Sequence, residues 1–136
     1  MKEKLEIEAL TENLDRVLSF VDEYLEKMEC PMKLMTKIDL AVEEIFVNIA
    51  HYAYGSETGW AVITMDRDEA ANKLEIVFED GGVPFDPLAK EDPDISLSAE
   101  ERPIGGLGIF MVKKIADDVS YEYRDGKNIL SFIKSW

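Results

Sequence analysis

Hydrophobic residues recur at helical spacing twice between positions 14 and 52, and beyond position 60 they alternate instead, in two separate blocks. A chain with this order of periodicities needs two layers, because amphipathic helices must bury their stripes and paired strands offer the face that covers them. The first stripe is Leu14, Val17, Leu18, Val21, Leu25 and Met28, with Thr11 placed as its N-cap. Cys30-Pro31 interrupts it, since the residue before a proline is pushed out of the helical region. Pro31 is well placed to open a second helix running to about Tyr52. Ahead of both, residues 4–10 alternate apolar and charged, which predicts a half-buried edge strand. After a turn at Gly55–Gly59, strands are expected at about 60–67 and 73–80, and a final pair at 119–124 and 128–134 flanks the hairpin signal Asp125-Gly126. A third helix from about Leu107 to Asp117 separates the two strand blocks. The stretch from Gly81 to Arg102 carries three prolines and many acids with little periodicity, although Ser98 and Glu101 could cap a short helical turn. The order β-α-α-β-β-loop-α-β-β implies one domain over residues 1–136. Its expected class is α+β, a two-layer sandwich of a mixed, mainly antiparallel sheet with helices on one face.

Charge narrows the partners. The chain of 136 residues carries a formal net charge of −14. So acidic a surface repels nucleic-acid backbones and anionic membranes, so neither is an expected partner. A nucleotide is still compatible, because a few backbone N–H groups and a metal ion create locally positive potential. Cys30 is the sole cysteine, which excludes an internal disulfide, and no leader-like or long apolar run is present, so a cytoplasmic location is expected.

Three places carry candidate chemistry. On the second helix, at about 100° per residue, Lys37, Ala41, Glu44, Asn48 and His51 fall on one narrow strip. Ile38, Val42, Ile45 and Ile49 flank it on one side, Leu40 and Val47 on the other. Glu44 and Asn48 are one turn apart, so a carboxylate and an amide oxygen point the same way, as they would also on an ordinary exposed helix face. A hard cation such as Mg²⁺ takes oxygen ligands, so the amide with phosphate oxygens could hold it, and the carboxylate could act as a general base. In the second strand pair Leu74, Ile76, Phe78 and Asp80 share one face. Asp80 ends that apolar face just before Gly81-Gly82, where it could accept a hydrogen bond from a base amino group while Gly82 lets a flat ring approach, or could simply face water in a turn. Third, Gly105-Gly106-Leu107-Gly108 leads into an apolar helix, and its N–H groups at the positive end of the helix dipole suit phosphates. There is no Lys-Ser/Thr ending and no preceding βαβ unit, which argues against a P-loop or a Rossmann turn. A single histidine, His51, excludes a histidine-based triad or a His/Cys metal cluster.

Taken in order, these segments resemble those of the histidine-kinase-like (GHKL, Bergerat-fold) ATPases, and most of all the small bacterial anti-sigma-factor serine/threonine kinases. Asp39-Leu-Ala-Val-Glu-Glu-Ile-Phe-Val-Asn48 with Ala53-Tyr54 resembles the helical N-box. Asp80-Gly-Gly-Val-Pro-Phe-Asp-Pro87 resembles the first glycine box, Gly105-Gly-Leu-Gly-Ile-Phe-Met-Val112 the second, and the closing Asp-Asp-Val-Ser-Tyr…Asp-Gly-Lys-Asn…Lys134 is similar too. The resemblance implies a Bergerat ATP-binding fold, ATP and Mg²⁺ as cofactors, and Asn48 as the metal ligand. It implies that Asp80 recognises the adenine amino group with Gly82 beside it, that Gly106 and Gly108 support the lid and phosphates, and that Glu44 is the base. It also implies a substrate, a serine or threonine on a STAS-type anti-anti-sigma protein, with a sigma factor held when that protein is unavailable; homodimers are common in such a family. Two positions depart from the family pattern. Tyr52 stands where a histidine is frequent, four residues after the asparagine. The acidic segment 87–104 holds Arg102 as its only arginine and Lys90 as its only lysine, either of which could reach the γ-phosphate. The expected function is therefore an ATP-dependent protein kinase in partner switching, with a non-catalytic, nucleotide-dependent binding module as the alternative.

Overall fold

Strand alternation and helical stripes resolve into the two layers expected of them. The computed structural model describes residues 1–55, 57–89 and 106–136. Within these, β1 (Lys2–Glu8) is followed by α1 (Leu14–Lys27) and α2 (Met32–Tyr52), then β2 (Trp60–Asp68), β3 (Lys73–Asp80), α3 (Gly106–Ile115), β4 (Asp118–Arg124) and β5 (Lys127–Ser135). The five strands form one sheet in the order β1-β2-β3-β5-β4, and every neighbouring pair is antiparallel. No parallel pair occurs among the described residues, so the sheet is simpler than the mixed one expected. β1 is an edge strand with alternating exposure, as its sequence pattern predicts.

The helices cover one face of the sheet. Val17, Val21 and Leu25 of α1 and Ile38, Val42, Ile45 and Phe46 of α2 join Ile63, Met65, Leu74, Ile76, Phe78 and Phe132 of the strands in one buried cluster. Fully burying a side chain of this size contributes about 1.5–3 kcal/mol, so the two stripes and the strand face they cover are the main source of stability. Asp125 and Gly126 both take positive φ, 55° and 75°, the geometry of a tight hairpin turn.

Two helix boundaries differ from the expectation. Thr11 opens a short 3₁₀ turn, Thr11–Asn13, and its side chain caps nothing. The α-helix starts after Asn13, whose Nδ2 donates instead to the Glu8 carbonyl at 3.0 Å, tying the helix start to the end of β1. At the other end α1 stops ahead of Cys30-Pro31. Glu29 sits at φ 57°, its N–H donates to the Glu26 carbonyl, and the Cys30 N–H reaches the Leu25 carbonyl. This pair of bonds satisfies the last carbonyls in a Schellman arrangement, with glutamate in the left-handed position usually taken by glycine.

Candidate functional site

The end of β3 is where the strand phase turns from apolar to ionisable. Leu74, Ile76, Phe78 and Asp80 are all buried, Asp80 at 5% exposure, so the carboxylate closes the core face as its alternation predicts. It lines a narrow, mostly apolar cavity of about 40 Å³. Ile45 and Ile49 of α2, Phe78 and Leu130 of the sheet, and Ile109 of α3 form its apolar walls. Asn48, Asp80, Tyr121 and Asn128 supply its polar groups.

Asp80 is held from one side. Asn128 Nδ2 donates to its Oδ1 at 2.8 Å, and the Gly82 N–H donates to the same oxygen at 2.9 Å. Oδ2 has no partner among the described residues. Burial raises the Asp80 carboxyl above its usual range, and the bonds from Asn128 and Gly82 oppose that rise. Asn128 itself is 6% exposed and sits opposite Asp80 across the β3–β5 pair. Sequence reasoning gave it no individual role. Its signal was there in the phase of β5, where a polar residue shares the inward face with Leu130 and Phe132.

The loop after Asp80 is fastened to the segment that follows α2. Tyr54 Oη accepts from the Gly81 N–H at 2.7 Å and donates to the Trp60 carbonyl at 2.5 Å. The Val83 N–H donates to the Ala53 carbonyl at 2.9 Å. Gly82 is packed so tightly that a β-carbon there would collide with the Ala53 carbonyl and backbone. The close approach expected at Gly82 is thus made by the end of α2. Gly82→Ala should destabilise the fold by about 1–3 kcal/mol through this overpacking, read from urea denaturation. Wild-type stability in that variant would mean the loop yields without cost. Tyr52, the departure from the family pattern, stacks on Phe85 with ring centroids 6.1 Å apart and covers the same loop from outside. His51 is exposed beside it, with its ring edge-on to Tyr52 at 6.0 Å, and does not line the cavity.

The strip on α2 connects this pocket to α3. Ala41 is buried, Lys37 exposed, and Glu44 and Asn48 half-buried, so the strip runs from solvent into the molecule. Asn48 lines the cavity that contains Asp80. One turn earlier, the Glu44 carboxylate packs against Gly108, where a β-carbon would collide with it. Gly106, Leu107 and Gly108 form the first turn of α3, whose N–H groups have no partner within the helix and lie at its positive end. Asp80, Asn48, Glu44 and the start of α3 therefore follow one another along a single path. Gly105, Arg102, Lys90 and the Ser98–Glu101 pair lie outside the described residues. Among the described residues, no group of three or more His, Cys, Asp or Glu side chains could hold a metal ion. No described helix is long and apolar enough to cross a membrane.

Comparison with known proteins places the chain among relatives. The chain is 34% identical over 95 residues to the serine-protein kinase RsbW of Bacillus cereus and of Bacillus anthracis, over 67% of this chain and 58% of theirs. RsbW of Bacillus thuringiensis matches to the same extent. The chain thus aligns with somewhat more than half the length of these relatives. Among solved structures, the RsbU and RsbW domains of Rv1364c from Mycobacterium tuberculosis superpose with a TM-score of 0.68 at 13% identity, covering 98% of this chain and 32% of that one, which is a likeness of fold. The profile of the histidine kinase-like ATPase domain matches residues 7–134, nearly the whole chain, and with the antiparallel sheet, the buried Asp80 and the Glu44–Asn48 strip in place, the chain belongs to that family.

Proposed function

We propose that this chain is an ATP-dependent serine/threonine protein kinase of the anti-sigma-factor type, which phosphorylates a STAS-type antagonist protein. The observation that carries this reading is the path from Asp80 through Asn48 to Glu44 and Gly108, which follows the order of chemistries that a nucleotide presents from base to terminal phosphate: an acceptor in an apolar cavity, an amide oxygen, then a carboxylate beside helix N–H groups. The naming of the Bacillus relatives as serine-protein kinases supports it.

In this reading the adenine amino group donates to Asp80 Oδ2, and the apolar walls take the faces of the ring. The first-turn amides of α3 bind phosphate oxygens. Asn48 is suited to hold Mg²⁺, because its amide has no hydrogen bond among the described residues and faces the cavity, and oxygen donors with waters and phosphates suit that ion. When bound, Mg²⁺ would offset phosphate charge. Glu44 orients the partner's serine or threonine hydroxyl and takes its proton as the new O–P bond forms at the γ-phosphorus. The bond from that phosphorus to the bridging oxygen breaks, and ADP leaves.

Glu44→Gln tests the assignment, since it preserves the packing against Gly108 and removes only the basic oxygen. With Mg-ATP and a STAS partner, phosphotransfer should fall by about 10²–10⁴-fold, the usual contribution of a general base, while ATP affinity is retained. Unchanged transfer would rule Glu44 out as the base. ATP binding with no phosphoprotein formed by the wild type would instead favour a nucleotide-dependent binding module that holds a sigma factor.

A further inference from the structure

The cavity beside Asp80 is too narrow for the base assigned to it. A space of about 40 Å³ admits roughly three water molecules, far less than a purine. A wall must therefore give way on binding, and the walls differ in how firmly they are held. Ile45, Ile49, Phe78 and Leu130 belong to the buried core, where close packing lets no side chain shift without disturbing its neighbours. Phe85 is placed differently. It sits on the loop after β3, is half-buried, and lines the cavity from its outer side. Its N–H donates to Asn128 Oδ1 at 3.0 Å and to Tyr121 Oη at 3.3 Å, so the backbone is tethered and the ring moves by turning about its side-chain bonds. Tyr52 stands against that turn. Its ring stacks on Phe85 with centroids 6.1 Å apart and planes 29° apart. Beyond the stack Tyr52 is 47% exposed and lines an open groove with Val83, Pro84 and Tyr123, which offers room for a displaced ring.

We propose that Tyr52 is a positioning residue for nucleotide entry: by backing Phe85 it holds the base cavity narrow, and the stack between the two rings is broken when a base enters. The inference rests on the reading of the Asp80 cavity as the base site and adds a barrier that binding must overcome there. The apparent affinity of a site is reduced by the fraction of molecules in which it is competent to bind. A contact that favours the narrow form therefore slows association and weakens binding together. Because Tyr52 touches the cavity only through Phe85, its loss widens the site without removing any group that a nucleotide would meet.

The test is stopped-flow binding of Mg-ATP carrying a fluorophore on its ribose, which leaves the base unaltered, to the wild type, Tyr52→Ala and Tyr52→Phe. In Tyr52→Ala the association rate should rise by about 2–10-fold and Kd should fall by the same factor, the scale of one aromatic pair, with dissociation unchanged. A residue that merely braces the loop would do the reverse, since its loss would loosen the pocket and weaken binding. Tyr52→Phe keeps the stack and should match the wild type; faster association there as well would place the effect in the hydroxyl and overturn the role of the stack. Unchanged or slower association in Tyr52→Ala overturns the role of Tyr52 and leaves the base site standing. A wild type that binds no labelled nucleotide overturns the reading of the site, and this inference with it. Should Tyr52→Ala fail to fold, Tyr52→Leu is judged by the same rates, because leucine covers Phe85 without stacking on it.

Discussion

Asp80→Asn is expected to bind Mg-ATP about 100-fold more weakly than the wild type while folding at least as stably, and to prefer Mg-ITP. The geometry dictates which way the new amide faces. Asn128 Nδ2 and the Gly82 N–H both donate to Oδ1, so an asparagine at position 80 places its carbonyl there and its NH₂ where Oδ2 was. A donor then confronts the adenine amino group. The lost charge-assisted bond alone is worth about 1.5–3 kcal/mol, a factor of roughly 10–150, and the facing donors add to it. A 6-oxo base gains the partner that adenine loses. Stability moves the other way, because burial raises the Asp80 carboxyl, so an ionised Asp80 at neutral pH is a charge the fold would sooner lose. Calorimetric titration with both nucleotides, together with a thermal melt, separates these effects. Undiminished ATP affinity in a well-folded variant would remove Asp80 from base recognition.

What could be read in the sequence was what local periodicity determines. The alternation Leu74, Ile76, Phe78, Asp80 put a carboxylate on the core side, and that is where it lies. The helical strip placed Glu44 and Asn48 together for the same reason, since residues one turn apart share a face whatever surrounds them. Asn128 escaped notice because its importance depends on register. Its partner Asp80 lies 48 positions away, and only the β3–β5 pairing sets them opposite each other. Gly82 was legible as a place of close approach, but not as an approach to Ala53, which the return of α2 beside β3 creates. The end of α1 shows the same limit. Cys30-Pro31 signalled a break, yet the chain stops earlier through Glu29 in the left-handed region, which no sequence rule for glutamate suggests.

A second pair of groups that meets only through tertiary packing should govern the pH dependence of stability. Asp39, at the start of the N-box segment on α2, faces Asp22 of α1. Each presents an Oδ1 that is shut off from water without a hydrogen-bond partner, and neither side chain forms an ion pair among the described residues. Burial, with the adjoining Asp22 carboxylate, pushes the Asp39 carboxyl up to about 8. Asp39 thus keeps its proton in the folded state to a higher pH than in the unfolded chain, where the carboxyl has its ordinary value of 3.8. The folded state binds more protons between these limits, so stability declines as pH rises from about 4 to about 8 and levels off above. Both side chains are only half-buried, and solvent screening reduces the effect to an estimated 1–3 kcal/mol. Asp39→Asn supplies a permanent donor to Asp22 and removes one charge. It should abolish this slope and exceed wild-type stability by about 1–2 kcal/mol at pH 9, while the two proteins converge near pH 4. Urea denaturation across this range decides the matter. Parallel curves for the two proteins would mean that Asp39 holds no extra proton in the folded state, and that α1 and α2 pack without regard to its charge.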